Sequence, residues 1–285
     1  MIKSASFHSE APGPRLLVLG AVHGNEKCGT TAINRIIPEF ESGRMALKNG
    51  HITLIPICNP RAYEKDVRFI ERNLNRNLVP FPMPDTYEAT LGNILIPYLE
   101  HCDVLLDLHS YTVGGKAFAF INPVNEKTLA YGAALGVDCL VSNFDGAIAA
   151  SGAKAEEGNW SVGTTEYARY KGAMSITMEC GQHRDPKAPE YAYQAILNAL
   201  GHLGMLDHPA PTHKALHIGL ETCAYRTDAG SFARDWKNFD KISKGELIAT
   251  RANGEKLLAP FDGIIVLPNA TAGINSEWYY FGRES

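Results

Sequence analysis

A chain of 285 residues can hold one large domain or two modest ones, and 45% apolar residues is ample for a core. A formal net charge of −4 removes the electrostatic case for nucleic acid or an anionic membrane surface, so small molecules are the expected partners. Residues 1–15 lack the apolar stretch of a signal peptide, and no run approaches the ~18 apolar residues of a membrane span, so a soluble, cytoplasmic protein is expected.

Residues 16–19 form a continuous apolar run of the length of a strand buried on both faces, and residues 30–37 read as a helix stopped by Pro38. His23 and Glu26 therefore stand in a strand-to-helix turn, at the carboxyl end of the strand, where open α/β sheets place their ligands. Imidazole and carboxylate are a donor pair that zinc accepts while keeping one position open for water. Taken alone, the same spacing also describes a turn histidine followed by an acid favoured at a helix start.

Residues 51–58 are a third strand candidate, followed by Asn59, Pro60 and Arg61 and then an arginine-rich stretch too long for an idle connection. Residues 86–101 read as a helix with a break near Pro97. Residues 103–108 form a further strand, ending in His109 and Ser110. Asp107 lies two residues before His109, on the same face of that strand, placed to hold the free ring nitrogen of the histidine. Two strand ends now offer three metal ligands: His23, Glu26 and His109.

Residues 126–135 read as a helix. Residues 146–172, with Glu156, Glu157, Trp160 and Glu166, are expected to form a mobile wall of the site. Residues 173–178 form another strand, which delivers Glu179 to its carboxyl end, and residues 189–206 a long helix. Prolines break the pattern at 207–213, and short β runs fill the remainder, so the chain divides into a catalytic α/β domain at 1–208 and a β-rich domain at 209–285 packed beside the active site. The six cysteines show no regular spacing and are expected as buried thiols.

Four motifs in order, HGNE at 23–26, NPRA at 59–62, LNR at 74–76 and DLHS at 107–110, give the chain a resemblance to the succinylglutamate desuccinylase/aspartoacylase family, relatives of the zinc carboxypeptidases. The resemblance implies a mixed, mostly parallel central sheet flanked by helices, and one Zn²⁺ per chain held by His23, Glu26 and His109. It implies that Glu179 is the general acid and base, that Arg68 faces the developing oxyanion, and that Asn75 and Arg76 grip a substrate carboxylate. Tyr279 matches a tyrosine that reaches the pocket from the second domain.

The departures bear on substrate. Asn73 replaces an aspartate of the family, and Glu166 stands where aspartoacylases carry an arginine for the substrate's side-chain carboxylate, with Arg169 the alternative for that role. A carboxylate there repels an acidic side chain, so the expected substrate is a small N-acyl amino acid, or similar amide, whose amine half is neutral or basic. The reaction expected is hydrolysis of a linear amide by metal-activated water. A metallocarboxypeptidase-like peptidase and a non-catalytic metal- or ligand-binding module are the alternatives, and the pattern leaves a homo-oligomer open.

Overall fold

The computed structural model describes residues 1–151 and 161–285; Glu156, Glu157 and Trp160 lie outside the described residues. In chain order, the first half carries β1 (Ala5–His8), β2 (Arg15–Gly20), α1 (Cys28–Glu41), β3 (His51–Ile55), α2 (Pro60–Lys65), α3 (Tyr87–His101) and β4 (Val104–Tyr111). There follow β5 (Phe118–Ile121), α4 (Glu126–Ala134), β6 (Cys139–Ser142), α5 (Phe144–Ala150), α6 (Thr164–Tyr170), β7 (Met174–Gln182) and α7 (Ala188–His202). The remainder is all β: β8 (Leu216–Tyr225), β9 (Ser231–Phe232), β10 (Lys241–Ile242), β11 (Leu247–Thr250), β12 (Lys256–Leu258), β13 (Gly263–Val266) and β14 (Glu277–Glu284).

Eleven strands form one sheet in the order β1-β3-β2-β4-β7-β5-β6-β8-β14-β13-β10, and β12-β11-β9 form a second, small sheet. The central strands β3, β2, β4 and β7 are parallel, and antiparallel pairing enters at β1, at β5 and through β14 and β13. Residue alternation sorts the core by face. Leu16, Val18, Leu106, Ile176 and Met178 face α1 and α7, and Leu17, Leu19 and Leu105 face α3 and α6. The architecture is the mixed α/β sheet flanked by helices that the sequence led us to expect.

Two expected helix breaks are absent. α1 continues past Pro38 to Glu41, and α3 passes Pro97 to His101. Each proline removes one backbone N–H from the helix, yet Ile33, Ile36 and Phe40 in α1, and Leu95, Ile96 and Leu99 in α3, are buried against the sheet and hold the helix on both sides of it. Two strands also run further than expected: β4 and β7 extend beyond His109 and Glu179, so both residues sit within paired strands. α5 and α6 occupy the described parts of the stretch expected as a wall of the site.

Residues 209–285 hold an apolar cluster of their own around Trp236, Ile248, Trp278 and Phe281. They also share a cluster with the first part of the chain, in which Phe118, Val141 and Ile148 meet Ile218, Cys223 and Tyr280, and β8 pairs in parallel with β6. No described helix is long and apolar enough to cross a membrane.

Candidate active site

The site forms where β2 hands over to α1. Gly24 allows that turn to press against α2: a Cβ there would stand 2.1 Å from the Ala62 carbonyl carbon, and the Gly24 N–H donates to the Arg68 carbonyl at 3.2 Å. His23 and Glu26 flank this contact. On the neighbouring strands, β4 and β7 run in register, with Leu105 opposite Ser175, Asp107 opposite Thr177 and His109 opposite Glu179. Because alternate residues share a face, Asp107 and His109 lie beside Ser175, Thr177 and Glu179 as one polar strip.

Glu26, 2% exposed, is the hub. Its Oε1 lies 2.9 Å from His23 Nδ1 and accepts from Arg68 Nη1 at 2.9 Å; its Oε2 stands 2.8 Å from His109 Nδ1 and accepts from the Ser110 backbone N–H at 3.1 Å. Among the described residues one group of three His, Cys, Asp or Glu side chains brings donor atoms close enough to share an ion: His23, Glu26 and His109, all within 4.8 Å. Ligands about 2 Å from a tetrahedral ion stand roughly 3.3 Å apart, so little movement separates these side chains from coordination.

Each imidazole is held from behind. His23 Nε2 lies 2.9 Å from Asn73 Oδ1, which also accepts the Asn75 N–H, so the His23 proton belongs on Nε2 and Nδ1 is left with a lone pair. That Nδ1 is buried, has no hydrogen-bond partner and lies against a carboxylate oxygen, an arrangement a cation relieves. His109 Nε2 lies 3.0 Å from Asp107 Oδ2, which Thr164 Oγ1 also contacts. Asn73, where the family carries an aspartate, therefore supports His23. These donors fit a zinc ion.

Electrostatics point the same way. Burial pushes the His109 ring down, but Asp107 and Glu26 outweigh it and raise its pKa well above the ordinary value, so the pocket favours positive charge between them. Burial, then Arg68, pushes His23 down to about 4. Burial raises the Glu26 carboxyl, and His23 and His109 more than reverse this, leaving it well below the carboxylate range. Across the strand pair, burial and then the charge of Glu26 push Glu179 up to about 8. Glu179 Oε2 is buried and without a hydrogen-bond partner.

These groups, Asp107 apart, open into one cavity of about 430 Å³. Its walls bring together His23, Glu26, His109, Arg68 and Glu179, and further along Asn75, Arg76, Glu166 and Arg169. Tyr279 is the exception among the expected residues. It points to the far side of β14, into the cluster with Trp278 and Phe232, and its neighbour Tyr280 lines the cavity instead. A one-residue step along a strand reverses the face, and the motif match alone left that parity unresolved. Asn75 Oδ1 is already engaged, accepting from the Thr164 N–H at 2.8 Å.

Three features had no signal in the motifs. His183 lines the cavity and its Nδ1 lies 2.8 Å from Ser110 Oγ, a pairing that only the β4–β7 register reveals. Asp145, in the first turn of α5, also lines the cavity. Glu88, 1% exposed, accepts the backbone N–H groups of Ile70, Glu71 and Arg72 and the side-chain amide of Asn59, pinning the loop that carries Arg68 and Asn73.

Residues 12–199 match the model of the succinylglutamate desuccinylase/aspartoacylase catalytic domain. A succinylglutamate desuccinylase of Vibrio cholerae is 25% identical over 295 residues, covering 94% of this chain and 80% of that protein. A probable aspartoacylase of Prochlorococcus marinus is 33% identical over 103 residues, and that match spans about a third of each protein. Among solved structures, a succinylglutamate desuccinylase/aspartoacylase from Rhodobacter sphaeroides covers 100% of this chain and 88% of its own at a TM-score of 0.77 and 19% identity. An ectoine utilization protein from Ruegeria pomeroyi covers 96% of this chain and 86% of its own, with a TM-score of 0.73 and 19% identity. The chain belongs to the succinylglutamate desuccinylase/aspartoacylase family.

Proposed function

We propose that the protein is a zinc-dependent deacylase that hydrolyses the amide of a small N-acyl amino acid or similar N-acyl compound. The observation that carries this reading is the convergence of His23 Nδ1, Glu26 and His109 on one point, in the same cavity as Glu179. The family's named hydrolases support the reaction class. A zinc ion held by the three side chains would supply Lewis acidity and lower the pKa of water to about 7.

The remaining work falls to the chain's own groups. Glu179, on the strand next to His109, takes a proton from the attacking water as a carboxylate and returns it to the departing amine nitrogen; burial and the charge of Glu26 push its carboxyl up to about 8 in the metal-free site, and a cation bound to Glu26 would bring it down into the range of a base. The Arg68 guanidinium reaches Glu26 from the cavity and offers its remaining donors to the developing oxyanion. Arg76 presents a planar fork to a substrate carboxylate, and Asn75, through Thr164, ties that arm to α6. Tyr280 supplies the aromatic wall first assigned to Tyr279.

A cavity of about 430 Å³ suits a compound of a few dozen atoms, which favours an N-acyl amino acid over a peptide. Six free, buried cysteines support the expected cytoplasmic setting, where thiols stay reduced. The test is hydrolysis of a panel of N-acyl amino acids and short peptides by zinc-loaded protein, before and after chelation. Chelator-sensitive release of the acyl group is expected. Turnover of peptides alone favours the peptidase, and zinc binding without turnover favours the binding module.

A further inference from the structure

The floor of the cavity changes character from strand to strand. On β7, Glu179 and Thr177 stand opposite Phe118 and Phe120 of β5, and Phe120 stands opposite Val141 of β6. Residues paired in this way share a face, so the polar strip of β4 and β7 gives way within two strands to an apolar one. Phe118 is 0% exposed and belongs to the core, whereas Phe120, two residues along the same face, is half-buried and lines the cavity. From Glu179 to Phe120 is one strand across and two residues along, about 8 Å between Cα atoms, the scale of one large side chain.

Two further rings close over Phe120. Phe144, at the start of α5, stacks on Tyr280 of β14 with centroids 4.9 Å apart, and meets Phe120 edge to face at 5.4 Å. Val113 and Leu267 are partly buried in the same apolar cluster and also line the cavity. Core packing covers such surfaces, but here rings and branched chains from separate elements stay open to a cavity that also holds the catalytic groups, the lining that recognises an apolar part of a ligand.

Resting on the deacylase reading above, we infer that Phe120, Phe144 and Tyr280 form an aromatic subsite for the amine half of the substrate, which is an N-acyl amino acid with a large apolar side chain, above all a ring. Arg76 assigns the half. Its guanidinium lies 5.8 Å from the centre of the Phe144 ring. In an N-acyl amino acid the carboxylate and the side chain leave the same carbon, so a carboxylate held by Arg76 puts the side chain against the rings. The charges nearby are mutually opposed: Arg169 and Arg76 act on Asp145, and Arg169 lies 3.8 Å from Glu166. A charged side chain therefore gains little there and loses its water against the rings, a cost that an apolar one is spared.

The experiment uses zinc-loaded wild type, Phe144→Ala and Phe120→Trp, with thermal melting to confirm folding. In one arm, free phenylalanine, alanine, lysine and aspartate are titrated calorimetrically, with no reaction required. In the other, kcat/KM is measured on their N-acetyl derivatives and on N-phenylacetyl-alanine. Burial of a large apolar side chain is expected to favour phenylalanine over alanine by roughly 10- to 100-fold in both arms, with lysine and aspartate below phenylalanine. Phe144→Ala removes one wall and Phe120→Trp fills the space, and each is expected to bring the ratio of phenylalanine to alanine toward one. Equal binding of phenylalanine and alanine, a preference for lysine or aspartate, or a ratio unchanged in both variants overturns the subsite. Faster turnover of N-phenylacetyl-alanine than of N-acetyl-phenylalanine overturns its assignment to the amine half. Discrimination in binding with no hydrolysis of any derivative upholds the subsite and rejects the deacylase; hydrolysis of all derivatives at equal kcat/KM does the reverse.

Discussion

Asn73 shows how much a neutral side chain can decide. Its amide oxygen sits 2.9 Å from His23 Nε2, which fixes the ring so that Nδ1 faces Glu26. Removing such a support typically lowers metal affinity 10- to 100-fold, so Asn73→Ala is expected to release zinc at correspondingly lower chelator concentration in a competition titration. Glu179→Gln should retain zinc while kcat falls by about 10²- to 10⁴-fold, because the amide neither accepts the water's proton nor returns one to the leaving amine. At this scale the sequence was readable where residues came in motifs: His23, Glu26 and His109 each follow an apolar run that locates them. Tyr280 was not, because parity along β14 depends on the bulges in its pairing with β8. Nor was His183, whose partner Ser110 lies 73 residues away in the chain.

Elements hold these residues in place, and α3 does so through one acid. Glu88, in its first turn, takes three backbone N–H groups of the 70–72 loop and the Asn59 amide, so the loop that carries Arg68 and Asn73 is anchored to a helix. Burial raises the Glu88 carboxyl, and these hydrogen bonds outweigh it, leaving the pKa below its ordinary 4.5. A carboxyl whose folded pKa is depressed stabilises the fold fully above its unfolded value and loses that contribution as pH falls through the folded one. Glu88→Gln is therefore expected to cost about 1–3 kcal/mol at neutral pH in urea unfolding, with the gap to wild type constant above pH 4.5 and shrinking below it. Apolar runs revealed β2, β3, β4 and β7 from sequence. Pro38 and Pro97 misled because packing against the sheet overrides a single missing N–H, and α5 and α6, at seven residues each, were too short to show a helical period.

Across the whole molecule, the question is how far residues 209–285 are separable. The prolines at 207–213 marked the change of pattern, and the cluster around Trp236 and Trp278 gives the C-terminal part a core of its own. The pairing of β8 with β6 and the shared cluster of Phe118, Val141, Ile218 and Tyr280 are long-range, and periodicity within a strand does not report its partner. We propose a division near residue 208 in function, with the C-terminal part closing the cavity through Tyr280 and Glu277. A chain ending at 208 is expected to lose cooperative thermal unfolding, since it would expose that apolar face and the β6 edge. The account as a whole depends on one ion per chain. Elemental analysis of wild type, His23→Ala, His109→Ala and Glu179→Gln after exhaustive dialysis should find one zinc per chain in the first and last and almost none in the two histidine variants. Full zinc content in both histidine variants, or none in wild type supplied with excess zinc, would contradict it.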